Sequence, residues 1–523
     1  MTYRVCIPTA GIGSRLGKLT QYINKSLVSI ANRPLLSHLI EQFPDDVDFV
    51  IALGHKGHLV REFLELAYPH RRFFFANVTP FEGLGSGLGL SLLACQQYLQ
   101  QPFLFISCDT IVKGSIPKPD HNWIAYAENT DLDQYRTLAL KSNIVEAICE
   151  KGEGKTDFHK PYIGLSSIFH YENFWSAMNE GGHDAIQMGE TYGLRKILDK
   201  RTQAYGFTWY DAGHPKVLAE TRDLLKEANA PNILEKPNEN IWFVQGQVIK
   251  FCDDPQFISH RIKRAQQLQG FIPELTGSKI NMYRYPIVEG QVLSEIITLP
   301  LFEKLLNHGK NFWLTCSLDQ DSKNQFQHRC LNFYRDKTKE RVELFYKNFN
   351  RQDGHEAING IAMPTLQLLL DELDWHWLAD GLPGRFHGDY HFENILWSAN
   401  QQKFTFLDWR QDFGGDLTRG DIYYDFAKLL HGLIISHKLI VRELFSINWT
   451  QREISYDFHR TQLLVECEQY FNEWLKKEGH DCKKVRVLTA LIYLNIAALH
   501  HHPYSLLLFV LGKNMLFKER TNS

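Results

Sequence analysis

Residues 4–27, RVCIPTAGIGSRLGKLTQYINKSL, decide how the N-terminal half of the chain folds. Residues 4–8 form a short apolar run typical of a buried strand, and a glycine-rich loop follows it. Similar apolar runs recur at residues 49–53, 73–78 and 103–107, with helical patterns between them. Continuously apolar strands that alternate with helices indicate a mostly parallel sheet covered on both faces. The sequence therefore predicts an α/β N-terminal domain.

The composition limits the class of protein. The chain has 523 residues, of which 44% are hydrophobic, and a formal net charge of -3. These values suit two or three globular domains and give no electrostatic footprint for nucleic acid or a membrane surface. No signal peptide is apparent, and no run reaches the ~18 apolar residues of a membrane span. The nine cysteines show no C-x-x-C pair. We expect a cytoplasmic protein without a zinc site.

A polar segment divides the chain into two domains. Residues 226–240, KEANAPNILEKPNEN, break the preceding pattern with two prolines. A hairpin signal follows, and long helical patterns dominate from about residue 300. We predict an N-terminal domain at 1–228, a linker at 229–240 and a second domain at 241–523.

The glycine-rich loop does not match two common phosphate-binding motifs. Five residues separate Gly11 from Gly17, and Leu19 follows Lys18, so the Walker A pattern fails. Leu16 stands where the dinucleotide fingerprint needs its last glycine. What remains is G-x-G-S-R with a lysine about ten residues further on.

That remaining pattern suits a nucleoside triphosphate. Gly11 and Gly13, with Ser14 between them and the arginine, let backbone amides approach phosphate oxygens closely. Arg15 would bind the β and γ phosphates, and Lys25 would neutralise the α-phosphate or the phosphate of an attacking substrate. An ordinary glycine-rich turn with surface cations is the alternative.

Two aspartates suggest a magnesium site. Asp109 follows the apolar run FLFIS, and Asp211 lies in WYDAGHP. Ligands bind beyond the carboxyl ends of strands in open α/β sheets, and carboxylates suit Mg²⁺. Gly85 and Ser86, within the glycine-rich segment 83–89, would let a nucleobase pack against the backbone. Turn or helix-cap roles are the alternative for each of these residues.

The stretch PTAGIGSRL, followed by NKSLVSIANRPLLSHLIEQFP, resembles the opening of the sugar-phosphate nucleotidyltransferase family, which includes bacterial phosphocholine cytidylyltransferases. The resemblance covers about 220 residues and implies a Rossmann-like domain with the triphosphate, lysine and metal roles given above. It also implies that Lys151, in ICEKGEG, contacts the substrate phosphate. One departure is Asn24, because the family usually has proline before the signature lysine.

The second domain carries the motif RFHGDYHFENILW at residues 385–397. Asp389 and Asn394 are five residues apart, and Asp408 follows at the end of a β-rich run. Phosphoryl transfer needs a group that orients the hydroxyl and ligands for Mg²⁺. We assign the first role to Asp389 and the second to Asn394 and Asp408. Three polar turn residues between strands are the alternative.

This motif resembles the aminoglycoside phosphotransferase and choline kinase family, which has a protein-kinase-like α+β fold. The resemblance continues through GGDLTRGDIYYDFAKLLHG, where Asp421 and Asp425 match structural acids. It implies that Lys250, in VIKF, contacts the ATP phosphates and that Tyr283 and Tyr285 lie in the nucleotide hinge.

Together the two resemblances imply a bifunctional enzyme with Mg²⁺ as its cofactor. A kinase would phosphorylate a sugar, polyol or small alcohol with ATP. A nucleotidyltransferase would then join the phosphate to a nucleotide from CTP, UTP or GTP, which gives an activated donor for surface polysaccharide or lipid headgroups. Homo-oligomerisation stays open.

Three alternatives to that reading are kept. A choline or ethanolamine kinase joined to a cytidylyltransferase would use Tyr390, His391, Trp397 and Trp409 as a cation cage, although such residues more often pack in the core. The others are an antibiotic kinase and an inactive scaffold.

Overall fold

The computed structural model describes the chain in four stretches. These are residues 3–128, 132–154, 158–226 and 236–521. They form two compact units, and each unit is made of two stretches of chain. The first unit comprises Met1–Ile258 and Leu275–Ile287, and the second comprises Ser259–Glu274 and Val288–Ser523.

The first unit contains sixteen strands and seven complete α-helices among its described residues. Its strands are β1 (Arg4–Pro8), β2 (Ser29–Ile30), β3 (Arg33–Pro34), β4 (Asp48–Leu53), β5 (Phe73–Asn77), β6 (Phe103–Ile106), β7 (Thr110–Lys113), β8 (Trp123–Ala127), β9 (Thr137–Lys141), β10 (Ile144–Cys149), β11 (His159–Ile168), β12 (Gln203–Asp211), β13 (Glu239–Val244), β14 (Gln247–Cys252), β15 (Gly277–Ser278) and β16 (Met282–Pro286). Its helices are α1 (Leu35–Ile40), α2 (Gly57–Ala67), α3 (Leu88–Cys95), α4 (Tyr171–Glu180), α5 (Gly182–Met188), α6 (Glu190–Ile197) and α7 (Pro215–Leu225). Helix α8 (Pro255–Gln267) begins in the first unit and continues into the second.

A ten-stranded sheet forms the centre of the first unit, in the order β5-β4-β1-β6-β11-β8-β12-β10-β9, with β7 paired to β12. The four strands predicted from apolar runs are parallel to one another, as expected. From β11 onward most pairings are antiparallel, so the whole sheet is mixed rather than mostly parallel. One cause is the tight hairpin β9–β10, whose turn residues Ser142 and Asn143 both have positive φ.

A second, four-stranded sheet in this unit, β13-β14-β16-β15, packs on α2. The ring of Trp242 on β13 is fully buried and meets Phe63 of α2 edge-on at 5.4 Å between centroids. The Asn281 amide donates to Glu62 Oε2 at 3.1 Å. These contacts explain why the sheet clusters with the N-terminal unit, although we assigned it to the second domain. The predicted boundary at 229–240 stays a prediction, since only residues 236–240 of it are described.

The second unit is mainly helical. Its helices after α8 are α9 (Leu293–Ile296), α10 (Leu299–Phe312), α11 (Gln320–Leu331), α12 (Lys337–Phe349), α13 (Leu366–Asp371), α14 (Trp375–Ala379), α15 (Ile422–Ile434), α16 (His437–Val441), α17 (Gln462–Lys477), α18 (Cys482–Ala497) and α19 (Tyr504–Thr521). Its strands are β17 (Gln291–Val292), β18 (Glu356–Ile358), β19 (Ile361–Met363), β20 (Pro383–Gly384), β21 (Ile395–Ser398), β22 (Lys403–Phe406), β23 (Gly420–Asp421), β24 (Phe445–Trp449) and β25 (Glu453–Phe458).

Helix α15 is the central element of the second unit, because it packs on both α17 and α18. Its N-terminus is capped by Asp421, which accepts hydrogen bonds from the Tyr423 amide at 3.0 Å and the Tyr334 hydroxyl at 2.7 Å. The start of α15 is thereby fixed against the π-helical turn Asn332–Asp336, which contains Tyr334. Among the described helices, none combines the length and the hydropathy that crossing a bilayer requires.

Candidate functional site

The loop after β1 lines a cavity of about 350 Å³ in the first unit. Gly13 has a φ of 70°, and a Cβ there would lie 2.9 Å from the Lys25 Cβ, so only glycine fits without displacing the lysine. The predicted residues that line this cavity are Gly11, Gly13, Ser14, Arg15, Lys25, Ser86 and Asp109. The loop, the lysine and the strand-end aspartate are therefore brought together.

Lys25 and Asp109 form a partly buried ion pair in the lining of this cavity. The Lys25 ammonium contacts Asp109 Oδ2, and the Ser107 hydroxyl donates to Oδ1 at 2.5 Å. Burial alone would raise the pKa of Asp109, but the ammonium and the hydroxyl lower it below its usual value. Burial likewise opposes the charge of Lys25, yet Asp109 raises the lysine pKa overall. Both groups are held in their charged forms.

Asn24, the departure from the family pattern, is firmly fixed. It is completely buried, and its amide nitrogen donates to the Thr9 carbonyl at 2.9 Å and the His55 carbonyl at 2.6 Å. Its side-chain oxygen accepts from the amide and the hydroxyl of Ser26 at 2.9 and 2.8 Å. Four hydrogen bonds thus hold the backbone before Lys25, where a proline would restrict it covalently.

Asp109 and Asp211 face the same space. Strands β7 and β12 pair with Asp211 opposite Thr110, which places both aspartates at one edge of the sheet. A Cβ built on Gly213 would lie 2.9 Å from Asp109 Oδ2 and 3.1 Å from Asp211 Oδ1. Asp211 is oriented by the Tyr135 hydroxyl at 2.9 Å and the Gly213 amide at 2.7 Å. The absence of a side chain at residue 213 keeps this space open.

The two carboxylates fit a Mg²⁺ ion that takes its other ligands from phosphate and water. Within the described ranges, no group of three or more His, Cys, Asp or Glu side chains could hold a metal alone. Mg²⁺ in nucleotide enzymes is usually bound by one or two carboxylates plus substrate phosphates and water, so a pair is sufficient.

A second cavity of about 540 Å³ adjoins the first. The two share Arg15, Ser107, Asp109 and Gly213 in their linings. The predicted phosphate contact Lys151 lines the second cavity together with Asp211. Arg15, the aspartates and Lys151 therefore line two joined compartments.

The sequence missed several residues of the second cavity. Arg136 lines it and donates to Glu150 Oε2 at 2.9 Å, while Arg195 donates to Oε1 at 2.7 Å. The Trp209 indole nitrogen and Glu190 Oε2 are buried and find no hydrogen-bond partner among the described residues. A polar ligand in this cavity would satisfy them. No local motif marks these residues, because they come from separate segments of the chain.

Glu190 makes a pH-dependent contribution to stability. Burial raises its pKa to about 7, against the opposing charge of Arg136. A raised carboxyl pKa means that the folded chain binds the proton more tightly, so stability falls as pH rises from about 4.5 to about 7. We expect Glu190→Gln to match wild type at pH 4.5 and to exceed it by up to ~3 kcal/mol above pH 7. Urea unfolding at both pH values measures this; a Gln variant that is less stable at pH 8 would contradict it.

The glycine-rich segment borders the first cavity in part. Ser86 lines it, and its hydroxyl donates to the Gly83 carbonyl at 2.7 Å. Gly85 has a φ of 82°, which glycine adopts without strain, and it is not part of the lining. Of this predicted pair, the structure brings only Ser86 to the cavity wall.

In the second unit, the hairpin β21–β22 brings the predicted trio together. Ile395 pairs with Phe406, so Asn394 and Asp408 lie at the same end of the hairpin, and the Leu407 amide donates to the Asn394 carbonyl at 2.7 Å. The Asn394 side chain donates to Asp389 Oδ2 at 3.0 Å. The three residues therefore meet in one region.

Asp389 lies between Lys428, which the sequence did not single out, and His391, which was considered only for a cation cage. Lys428 Nζ is 2.8 Å from Oδ1, and His391 Nε2 is 3.5 Å from Oδ2. Burial opposes the charge on Asp389, but Lys428 and His391 hold its pKa well below the usual value. Burial would also lower the pKa of His391, yet Asp389 and Glu393 raise it to about 9. Lys428 follows Asp425 by three residues, one turn of α15, which is the only sequence signal for it.

Asp425 fixes the backbone before Asp389. This buried carboxylate accepts from the His387 amide at 2.6 Å, the Gly388 amide at 2.7 Å and the Trp313 indole at 3.1 Å. The predicted structural role of this acid agrees with these contacts. Asp408 has a φ of 55° and accepts from Arg261 at 3.4 Å.

The residues of the small sheet that were predicted to bind ATP lie in the first unit. Lys250 on β14 pairs with Tyr283 on β16, and the rings of Tyr283 and Tyr285 stack with centroids 6.4 Å apart. Both tyrosine rings are buried. Their nucleotide role stays a prediction.

The aromatic residues considered for a cation cage belong mostly to the core. Tyr390 and Trp409 are almost fully buried, and Trp397 is 8% exposed. The Tyr390 ring meets Phe406 edge-on at 5.0 Å between centroids. This burial agrees with the packing alternative.

Comparison with known proteins identifies relatives for both halves. Residues 330–452 match the sequence model of the phosphotransferase enzyme family, APH. The N-terminal half is similar to the bifunctional protein GlmU of Methanocaldococcus jannaschii, with 25% identity over 252 residues, which are 46% of this chain and 58% of that protein. The corresponding protein of Methanococcus vannielii is 26% identical over 245 residues, 44% of this chain and 56% of that protein. The chain thus spans little more than half the length of these curated relatives.

Among solved structures, the CTP:phosphocholine cytidylyltransferase of Streptococcus pneumoniae aligns at 16% identity, with a TM-score of 0.37, over 43% of this chain and 100% of that one. The chain therefore combines an N-terminal half similar to these two GlmU proteins with a C-terminal region, residues 330–452, that matches the phosphotransferase enzyme family.

Proposed function

We propose that the chain is a bifunctional enzyme in which one unit makes a phosphate ester and the other joins it to a nucleotide. The C-terminal unit phosphorylates a sugar, polyol or small alcohol with ATP. The N-terminal unit transfers a nucleotidyl group from CTP, UTP or GTP to the product, which yields an activated donor for surface polysaccharide or lipid headgroups. Two observations support the proposal. Arg15, Lys25 and the two aspartates line two adjoining cavities of the first unit. Asp389, Asn394 and Asp408 meet in one region of the second unit.

In the N-terminal unit, the first cavity takes the nucleoside triphosphate and the second takes the phosphate ester. Arg15 neutralises the β and γ phosphates, and Lys25 stabilises charge at the α-phosphate. Lys151 and Arg136 hold the ester in the second cavity. A non-bridging oxygen of the ester's phosphate attacks the α-phosphorus, the bond from the α-phosphorus to the α–β bridging oxygen breaks, and pyrophosphate leaves. The shared lining of the two cavities supports this placement, because the attacking oxygen and the leaving pyrophosphate must lie on opposite sides of the α-phosphorus.

Mg²⁺ would be held by Asp109 and Asp211 in the first unit and by Asn394 and Asp408 in the second, where it neutralises phosphate charge. In the second unit Asp389 orients the acceptor hydroxyl and takes its proton as the γ-phosphoryl group moves to that oxygen. Its low pKa suits a transition state in which the hydroxyl proton is transferred late.

The proposal is tested by supplying hydroxyl compounds with ATP and Mg²⁺ and then adding CTP, UTP or GTP. We expect ADP to appear first and pyrophosphate to appear only after the second nucleotide is added. Release of pyrophosphate that needs no prior ADP formation, with no phosphate ester supplied, would reject the coupled sequence.

The carboxylate pair can be disturbed without removing a charge. In Gly213→Ala the new methyl group would lie 2.9 Å from Asp109 Oδ2 and 3.1 Å from Asp211 Oδ1, which forces the carboxylates apart. We expect nucleotidyl transfer to fall by at least about tenfold, since small displacements of positioned groups are costly, and ADP formation to stay unchanged. Pyrophosphate release measures the first effect. Wild-type transfer by this variant would show that the space above residue 213 is not used.

A further inference from the structure

Three cations of the second unit have no part in the chemistry described above. Lys337 begins α12, Arg341 lies one turn further along the same helix, and Arg410 follows Asp408 by two residues. Residues at i and i+4 on a helix are neighbours on its surface, so Lys337 and Arg341 present their charges on one face. Together we name these three residues the cationic cluster.

Two members of the cationic cluster contact the same aromatic ring. Lys337 Nζ lies 4.5 Å from the centroid of the Phe333 ring, and the guanidinium carbon of Arg410 lies 4.7 Å from the same centroid. Phe333 belongs to a π-helical turn, Asn332–Asp336, between α11 and α12. Such turns are frequent at functional sites, because they redirect the side chains of a helix.

The cationic cluster adjoins Asp389. The Arg410 amide donates to the His387 carbonyl at 2.9 Å, and a Cβ on Gly388 would lie 2.5 Å from the Arg410 Cβ. The arginine stem is therefore in contact with the residue that precedes Asp389. The charge of Asp389 also acts on Lys337, together with those of Arg410 and Lys428.

The positive charge of the cationic cluster has no carboxylate in an ion pair with it among the described residues. In the part of the sequence that the structure describes, none of the three forms an ion pair with a carboxylate, whereas the neighbouring Lys428 pairs with Asp389. The Nε atom of Arg410 is buried and has no hydrogen-bond partner there. Burial and then the charges of Arg410, Lys428 and Arg341 lower the pKa of Lys337 to about 7. Half-buried like charges of this kind destabilise a fold unless an anion binds among them.

We propose that the cationic cluster binds an anionic group on the acceptor, so that the compound phosphorylated by the second unit already carries a carboxylate or a phosphate beside its hydroxyl. This inference rests on the proposed kinase function and specifies its substrate class. The γ-phosphoryl group of ATP is transferred to the hydroxyl oxygen, the hydroxyl proton passes to Asp389 and ADP leaves, while the anionic group stays bound and unchanged. A cationic acceptor such as choline would be repelled by the same three residues.

The test uses the full chain with ATP, Mg²⁺ and matched pairs of acceptors: D-glycerate with glycerol, glucose 6-phosphate with glucose, and choline alone. The variants are Lys337→Gln and Arg410→Gln, with Lys337→Arg as the charge-retaining form. Lys339→Gln is the matched control, because Lys339 lies on α12 only two residues away but is exposed on another face. Thermal unfolding verifies that each variant is folded. ADP formation is the first measurement.

We expect an anionic acceptor to show kcat/KM at least about tenfold above its neutral partner, which corresponds to one well-placed ionic contact. Lys337→Gln and Arg410→Gln should each raise the KM for that acceptor at least about tenfold and leave the KM for ATP unchanged. Lys337→Arg, which retains the charge, should keep the wild-type KM for the acceptor. Preference for glycerate or for glucose 6-phosphate separates carboxylate from phosphate recognition. Equal or better use of a neutral acceptor or choline would overturn the inference.

A binding measurement decides the matter if none of the probes is phosphorylated. Inorganic phosphate is titrated calorimetrically into wild type and variants in the presence of Mg²⁺ and a non-hydrolysable ATP analogue. A loss of phosphate affinity of about tenfold in Lys337→Gln and Arg410→Gln, but not in Lys339→Gln, supports the inference even if the kinase function fails. Unchanged affinity in both variants overturns it, whatever the kinase does.

Discussion

Asp389→Asn should lower ADP formation by about 10²- to 10⁴-fold, the range that loss of a positioned proton acceptor usually costs. The asparagine keeps the shape of the side chain but cannot take the hydroxyl proton, and it leaves Lys428 without the carboxylate that lies 2.8 Å from its ammonium. Steady-state ADP release with a competent acceptor measures the change. Nucleotidyl transfer to a supplied phosphate ester should continue at the wild-type rate.

Asp321→Asn is a suitable control for that experiment. Asp321 is an exposed residue near the start of α11 in the same unit, and the substitution is chemically identical. It should leave ADP formation unchanged. If Asp389→Asn stayed active while folded, Asp389 would have no part in the reaction. If it also abolished nucleotidyl transfer, the two activities would not be independent.

Lys25→Gln should lower nucleotidyl transfer by about 10²- to 10³-fold, comparable to removal of a donor that stabilises transition-state charge. The reason is twofold. The α-phosphate loses a cation, and Asp109 loses the ammonium that holds its pKa below the usual value despite burial. Pyrophosphate release at saturating phosphate ester gives the rate, and ADP formation should not change.

Lys18→Gln tests whether any cation of the same loop would suffice. Lys18 is exposed and lines neither of the two joined cavities. We expect wild-type rates from this control. An equal loss in both variants would assign the effect to the overall charge of the loop rather than to Lys25.

Local sequence patterns predicted the parallel strands of the N-terminal half and the candidate site residues that lie next to strand ends. The run Arg4–Pro8 is a strand with these bounds, because a continuous apolar run before a glycine loop has few other structures. Asp109 and Asp408 were recognised because each follows an apolar run, and Asp389 and Asn394 because they lie five residues apart in the motif at residues 385–397. Their convergence follows from the ends of neighbouring strands meeting at one edge of a sheet.

Residues that reach a site from other elements were not predictable in this way. Lys428 reaches Asp389 from α15, and Glu190 reaches the second cavity from the start of α6. Their roles depend on how helices pack, which no spacing along the chain encodes. The mixed character of the large sheet was missed for a related reason. A turn such as Ser142–Asn143 sets strand direction, but it lacks the Asn-Gly or Asp-Gly order that marks such turns most clearly.

The small sheet that packs on α2 has a practical consequence for dissecting this protein. The chain passes from one unit to the other after Ile258, Glu274 and Ile287, so no single break in the backbone yields both units whole. Truncation at the predicted junction would strip the indole of Trp242 from Phe63 and expose apolar surface on both fragments. Fragments expressed separately from that position should aggregate, and each activity is better silenced by a point substitution in the intact polypeptide.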